Sequence, residues 1–418
     1  MKRLLAVTSL TGLLTLLKIG AGFLVGKVVA IYVGPSGLAM LGQIQNIVSL
    51  FNGLVNSPAG AGVVRYTAQN YKDENFTACV PWWRASMFWI MCIAFVLITL
   101  TLVFSKDLSR ILFTDDSYSR IIVVTALVLP LTAIGTLINS VNNGQQNYKR
   151  FVLVSMFSVI LSTGVMTFLI IRYHIMGGLL AVALQYGLIG LVSLIFCIKL
   201  PWVRLTFWFG KTSKQNIKNI FSYMLMAVTS AMCLPISMII IRKLLVNNVG
   251  WDSAGQWQAV WKISEAYLGV VTLAMGTYFL PKLSTLTTYI QLKNEILNTA
   301  KIILPLVGLM GLSIYLLREF IVSILFTKDF KESLSFFHLQ LLGDFIKISA
   351  WLFAYPLLSK GKVKWYMVTE ILSALIFVGL SYVFIDWYGL KGVFYAYIAN
   401  YLFYLLFILF NLKKILED

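Results

Sequence analysis

Residues 81–104 read PWWRASMFWIMCIAFVLITLTLVF, and no charge follows Arg84 to the end of that stretch. A hydrocarbon core of about 30 Å needs roughly 20 apolar residues of helix. The run is continuous rather than alternating, so it does not read as a strand of a membrane barrel. It reads as a membrane-spanning helix. The rest of the chain repeats the pattern. Of 418 residues, 59% are hydrophobic and 12% charged, against about 25% charged in soluble domains. That excludes a soluble globular protein. Lys and Arg number 34 against 16 Asp and Glu, a net charge of +18. The bases are scattered between apolar runs rather than gathered on one polar face, so no nucleic-acid partner is expected.

Working outward, spans fall at about 8–33, 38–62, 81–104, 120–141, 151–171, 177–199, 219–245, 255–278, 298–317, 337–358, 365–385 and 390–410. The fold class is therefore an all-α polytopic membrane protein of about twelve helices. Met1-Lys2-Arg3 ahead of Leu4–Leu17 has the look of a signal peptide, but the apolar stretch continues past Lys18 to Val33 without a clean cleavage site. It reads as an uncleaved first span. Twenty Lys and Arg lie at the termini and in the even loops, Arg65, Lys72 and Lys149 among them, against eight in the odd loops. The odd-side bases are balanced by acids such as Asp115, Asp116 and Asp252. Positive-inside bias places both termini in the cytoplasm.

Other chemistry is thinly represented. Cys79, Cys92, Cys197 and Cys233 form no CxxC pair, and His174 and His338 are far apart. No GxSxG, Walker loop, HExxH or paired-carboxylate motif occurs. No metal or cofactor and no ATPase or other enzyme activity is expected.

The chain repeats internally. ILFT occurs at Ile111–Thr114 and again at Ile324–Thr327. At nearly the same separation, Lys27 with Val33-Gly34 matches Lys243 with Val249-Gly250, Lys149-x-Phe151 matches Lys364-x-Tyr366, and Gly178 matches Gly392. Two parallel halves of six spans follow, residues 1–208 and 209–418. The joint lies in the basic loop 202–218, whose Trp202, Phe207, Trp208 and Phe209 suit the membrane interface. Such repeats place a substrate cavity at their interface near midplane.

Ionisable residues within spans are costly and mark function by default. Span one carries Lys18 and Lys27, and span seven, its repeat mate, carries Arg242 and Lys243. The outer three also suit snorkelling to headgroups. Span eight carries Gln258, Lys262 and Glu265 on one face beside Trp257 and Trp261. Span ten carries Gln340, Asp344, Lys347 and Trp351 at spacings 4, 3 and 4. Span two carries Gln45, Ser49, Asn52 and Asn56 in the same rhythm, with Asn46 close by. The plainer reading of such stripes is interhelical hydrogen bonding. At i,i+3 spacing, Lys262 with Glu265 and Asp344 with Lys347 are also expected to neutralise one another. Even so, the span bases outnumber Glu265, Asp344 and Glu370, and that surplus suits an anionic substrate. Amide and indole side chains beside it suit sugars.

The segments LLKIGAGFLVGKVVAIYVGPSGL at 16–38, IIIRKLLVNNVGWDSAGQWQAVWKISEAYL at 239–268, YFLPKLSTLT at 278–287 and LQLLGDFIKISAWLFAY at 339–355 resemble the Wzx-type flippases. These belong to the multidrug/oligosaccharidyl-lipid/polysaccharide exporter superfamily. The resemblance covers essentially the whole chain. It implies two six-helix lobes opening alternately across the inner membrane, and an undecaprenyl-diphosphate substrate bearing one oligosaccharide unit of common-antigen or O-antigen type. It also implies a lateral gap for the prenyl tail between spans one and eight. Partners would be membrane lipid and the polymerase and chain-length proteins of the same pathway. On this view Lys18, Lys27, Arg242 and Lys243 are the family's basic positions, with Lys18, Arg242 and Lys347 expected to meet the diphosphate. Gln45, Asn52, Asn56, Trp257, Gln258 and Trp261 would line the sugars, and Glu265 and Asp344 would couple or pair charge. Lys262 departs from the family pattern, so its role belongs to this substrate or to balancing Glu265. A multidrug or cation antiporter of the same superfamily would want a net acidic cavity. A polymerase or ligase would want a large outer loop. A passive channel would not need paired halves with buried charges.

Overall fold

The computed structural model describes residues 2–71 and 76–417; Lys72 of the second loop lies outside them. Among the described residues every regular element is a helix. The first are α1 (Lys2–Tyr32), α2 (Gly34–Asn56), α3 (Ala61–Asn70), α4 (Val80–Phe113), α5 (Ser119–Leu127) and α6 (Leu129–Gly144). Then come α7 (Tyr148–Cys197), α8 (Leu205–Trp208), α9 (Lys214–Ala274), α10 (Leu280–Thr285), α11 (Tyr289–Leu316) and α12 (Arg318–Leu325). The last are α13 (Phe337–Ser359), α14 (Val363–Tyr388) and α15 (Leu390–Glu417).

Two of these helices are too long for one crossing. At 1.5 Å per residue, α7 and α9 would reach roughly 75 and 90 Å, several times the hydrocarbon thickness. Each is broken once: at His174 in α7 (φ 50°, ψ −128°) and at Gly250 in α9 (φ 82°, ψ 170°). Both breaks fall in the gaps read between spans. Among the described residues ten stretches are long and apolar enough to cross a membrane. With two of them broken, these are compatible with twelve spans. The protein is a multi-pass helical membrane protein.

Two spans are less regular than their hydropathy suggests. Span four divides into α5 and α6 because Pro130, in the first turn of α6, has no N–H to continue the ladder. Span two ends early, at Asn56, where Pro58 and Gly60 turn the chain through a short 3₁₀ segment into α3.

Unusual backbone conformations recur in the two halves at the spacing of the sequence repeat. Gly34 (φ 77°) corresponds to Gly250 (φ 82°), Gln146 (φ 57°) to Gly361 (φ 63°), and His174 (φ 50°) to Gly389 (φ 56°). Tight approaches recur with them. A Cβ on Gly177 would stand 1.9 Å from the Leu169 carbonyl oxygen and one on Gly392 2.0 Å from that of Phe384, so by environment Gly392 corresponds to Gly177 rather than to Gly178. These recurrences are compatible with the repeat marked by the two ILFT copies.

The helices pack as two compact units. The first comprises the chain up to Tyr32 and Met40–Ile236; the second comprises Val33–Ala39 and everything from Ser237. In the first unit, Leu14 of α1 packs with Val152 and Val159 of α7. Helices α6 and α7 meet closely at Gly135, where a Cβ would lie 2.4 Å from the Cα of Gly190, a small-residue crossing typical of membrane helices. The basic loop after α7 folds back on this unit. Arg84 donates to the carbonyls of Thr206 (2.7 Å) and Lys211 (3.2 Å), and the indole N–H of Trp208 donates to the Trp202 carbonyl (3.0 Å). Trp202 and Trp208 are therefore buried against Trp83, while Leu205 and Phe209 stay exposed. In the second unit, Asp252 accepts from the backbone N–H of Ser36 (3.2 Å) in the first turn of α2, an acid placed favourably at a helix N-terminus.

Candidate functional site

The second unit gathers polar side chains from the later half of α9, from α13 and from α15. Asp344, on α13, is fully buried. It accepts hydrogen bonds from the Ser264 hydroxyl, from Tyr267 OH (2.8 Å), from Tyr397 OH (2.8 Å) and from Gln340 Nε2 (3.0 Å). A carboxylate has about four acceptor sites, and here four donors fill them. Ser264 and Tyr267 stand three residues apart on α9, hence on one face. Tyr397 reaches Asp344 because position 343 is glycine. A Cβ there would lie 2.3 Å from Tyr397 Cδ1.

One turn on, the Lys347 ammonium sits among aromatic rings: Trp351 at 4.8 Å, Tyr401 at 5.3 Å, Trp261 at 5.6 Å and Tyr397 at 5.7 Å from the ring centres. Desolvated cation–π contacts are worth about 2 kcal/mol or more. Trp261 is itself held by its indole N–H, which donates to Glu265 (2.8 Å). The expected i,i+3 ion pairs do not form. Among the described residues neither Lys262 nor Lys347 has a carboxylate oxygen within 4.0 Å, whereas Arg110 and Asp116, at the surface, do pair (2.9 Å). Asp344 is turned to hydroxyl and amide donors, Glu265 to an indole, and Lys347 to ring faces, so Asp344–Lys347 and Lys262–Glu265 stay apart. Neither lysine thus has a contact carboxylate among the described residues.

Arg242, in the first half of α9, is buried and donates to the Gln258 amide oxygen across the Gly250 break, with its guanidinium 5.4 Å from the Trp257 ring centre. The unit thus brings together Arg242, Trp257, Gln258, Trp261, Glu265, Asp344 and Lys347. Lys243 and Lys262 are half-buried on the same helix.

The remaining candidates belong to the first unit. Lys18 is exposed and Lys27 half-buried on α1. On α2, Gln45 is half-buried and Asn52 buried; Asn52 donates to the Val48 carbonyl of its own helix (2.8 Å) rather than to a neighbour. Asn46 Nδ2, Asn52 Oδ1 and Asn56 Oδ1 are buried without protein hydrogen-bond partners. Buried polar atoms are seldom left so, and a row of them on one helix is suited to a polar ligand.

Sequence reading did not single out Ser264, Tyr267, Tyr397 or Tyr401. The available signal was Tyr397, Tyr401 and Tyr404 at spacings 4 and 3 on α15, an aromatic stripe with hydroxyl tips.

The model of the family described as polysaccharide biosynthesis protein matches residues 4–287, more than half the chain. The chain belongs to that family. Similar to this polysaccharide biosynthesis protein are the lipid III flippases of Escherichia coli (strain K12) and Shigella flexneri. Each is 28% identical over 397 residues, covering 93% of both chains. Its fold is similar to that of a multidrug resistance MATE family transporter of the MOP superfamily solved in an inward-facing conformation, with a TM-score of 0.74 at 16% identity over 96% of this chain and 95% of that one. A MOP superfamily transporter from Pyrococcus furiosus, described as having a binding pocket of reversed polarity, superposes with a TM-score of 0.61 at 15% identity, covering 98% and 96%. At these identities the two solved structures speak for the fold of the polysaccharide biosynthesis protein alone.

Proposed function

We propose that this chain flips a polyprenyl-diphosphate-linked oligosaccharide across the inner membrane by alternating access. The observation that carries the reading is the Lys347 ammonium, buried and ringed by four aromatic side chains with no contact carboxylate. A cationic drug would be repelled by such a group, and an anionic diphosphate attracted. The rings beside it offer stacking faces for sugars. Similarity to lipid III flippases over 93% of the chain supports the same substrate class. A multidrug antiporter, the alternative within the superfamily, has less support. The relatives are flippases and transporters, and the chain acts as a carrier rather than an enzyme.

The substrate-facing set in the first unit is Lys18, Lys27, Gln45, Asn52 and Asn56. In the second it is Arg242, Lys243, Trp257, Gln258, Trp261, Lys262 and Lys347, with Lys18, Arg242 and Lys347 bearing on the diphosphate. Glu265 and Asp344 serve charge coupling. The repeat divides the chain functionally into 1–208 and 209–418, with both termini cytoplasmic by the distribution of bases. The polymerase and chain-length proteins of the same pathway are the partners.

The test is deletion of the gene in its host, freed of redundant flippases, with lipid-linked intermediates followed by mass spectrometry. Accumulation of one polyprenyl-diphosphate oligosaccharide on the cytoplasmic side, with loss of the matching surface glycan, is expected. Normal intermediates and an intact glycan would reject the reading.

A further inference from the structure

The first unit contains an apolar cavity, chemically unlike the polar site of the second unit. It has a volume of about 690 Å³ and is walled by α4, α6 and α7, with the folded-back 203–209 segment as a shelf. That is within the roughly 300–1,000 Å³ usual for ligand sites. Its walls are apolar side chains such as Ile90, Phe95, Ile134 and Leu194. Along α4 it runs from Met87 to Ile98, roughly 16 Å at 1.5 Å per residue. It is open on one side, where Phe95 (73% exposed) and Leu205 (78% exposed) form the rim. In a membrane protein such exposed apolar side chains face lipid.

A single charged residue lines it, Arg204, at the shelf end. Arg204 is exposed, and among the described residues no carboxylate lies within ion-pair distance of it. The shelf is preformed: Arg84 holds it through the Thr206 carbonyl, and Trp208 is fixed to the Trp202 carbonyl. A long apolar slot with one cation at its end has the polarity of an amphiphile with one anionic group.

We propose that this groove binds an anionic phospholipid of the surrounding bilayer, its acyl chain between α4, α6 and α7 and its phosphate paired with Arg204. The charge match favours a membrane phospholipid over a prenyl diphosphate. One guanidinium balances one phosphodiester, whereas a diphosphate would leave charge unpaired, and no amide or further base lines the slot for a sugar. A guanidinium fork also suits phosphate geometry.

The experiment uses the purified full-length protein, delipidated and exposed to defined mixtures of phosphatidylglycerol and phosphatidylcholine, with bound lipid read by native mass spectrometry. Phosphatidylglycerol is expected to be retained about fivefold over phosphatidylcholine, the upper end of what one exposed ion pair gives. Arg204→Gln, at an exposed position, is expected to erase the preference, and Ile134→Trp, which fills the slot, to reduce retention of both lipids. Should Ile134→Trp not fold, a photoreactive side chain at Phe95 replaces it, and crosslinking to labelled phosphatidylglycerol is expected to fall in the Arg204→Gln background. Equal retention of the two lipids, or a preference unchanged by Arg204→Gln, would overturn the assignment. So would displacement of phosphatidylglycerol by equimolar undecaprenyl phosphate, which would make the occupant a prenyl chain.

Discussion

His174 and Gly389, at corresponding positions of the two halves, hold the same backbone conformation: φ 50° and ψ −128° at the histidine, φ 56° and ψ −134° at the glycine. In one half the reversal is made by a residue that adopts it freely; in the other a side chain is forced into it. Such a conformation costs an L residue about 1–3 kcal/mol. His174→Gly is therefore expected to raise stability by about 1 kcal/mol. Gly389→Ala, where a Cβ would meet nothing nearer than Val249 at 3.5 Å, is expected to lower it by about 1–2 kcal/mol from backbone strain alone. Thermal unfolding midpoints in detergent check both, and two unshifted midpoints would contradict the argument.

Gly343→Ala is expected to act on the site rather than on folding at large. The added methyl meets the Tyr397 ring, an overpacking cost of about 1–3 kcal/mol. It moves Tyr397 OH off Asp344. Flipping should fall about tenfold or more while Tyr397→Phe, which keeps the ring and loses only the hydroxyl, falls less; a charge-assisted hydrogen bond is worth about 1.5–3 kcal/mol. Complementation of a flippase deletion by graded expression reads the order, and equal loss in both would count against the packing argument.

Replacing Lys347 with Gln removes the caged cation and is expected to abolish flipping at wild-type protein levels. Arg should rescue part of it, because guanidinium also binds ring faces. If Lys347→Gln transports normally, the cage has only a structural role.

Membrane potential should accelerate the forward step. Each charge crossing 100 mV is worth about 2.3 kcal/mol, so a headgroup with two net negative charges gains roughly 4–5 kcal/mol moving to the positive side. Flux of labelled lipid-linked oligosaccharide in proteoliposomes, with and without an imposed potential, measures it. Equal flux would mean that a counter-charge moves with the substrate.

Most of the spans were legible because continuous hydropathy is a local property, and the reversals at His174 and Gly250 fell where the apolar runs were interrupted. The polar stripes were legible too: Gln340, Asp344 and Lys347 do share a buried face of α13. Their partners were not. Ser264 and Tyr267 lie 80 and 77 residues before Asp344, and Tyr397 lies 53 after it; no periodicity within one helix points to a donor on another. The i,i+3 ion pairs failed for a related reason. Spacing brings Asp344 and Lys347 within reach, but hydroxyls and ring faces on α9 and α15 compete for each. The burial of Trp202 and Trp208 was not legible, because Arg84, far earlier in the chain, ties their loop down.

A cation held by a carboxylate must give up that bond before another anion can take it, leaving the carboxylate stranded in a dry interior. The aromatic cage around Lys347 imposes no such exchange. Ring quadrupoles neither carry net charge nor need rehydration when the ammonium turns away, so the group can switch between its resting neighbours and an arriving anion without an ionic leaving group. Under the role proposed for Lys347, that position selects by sign, and no ion pair has to break before the anion arrives.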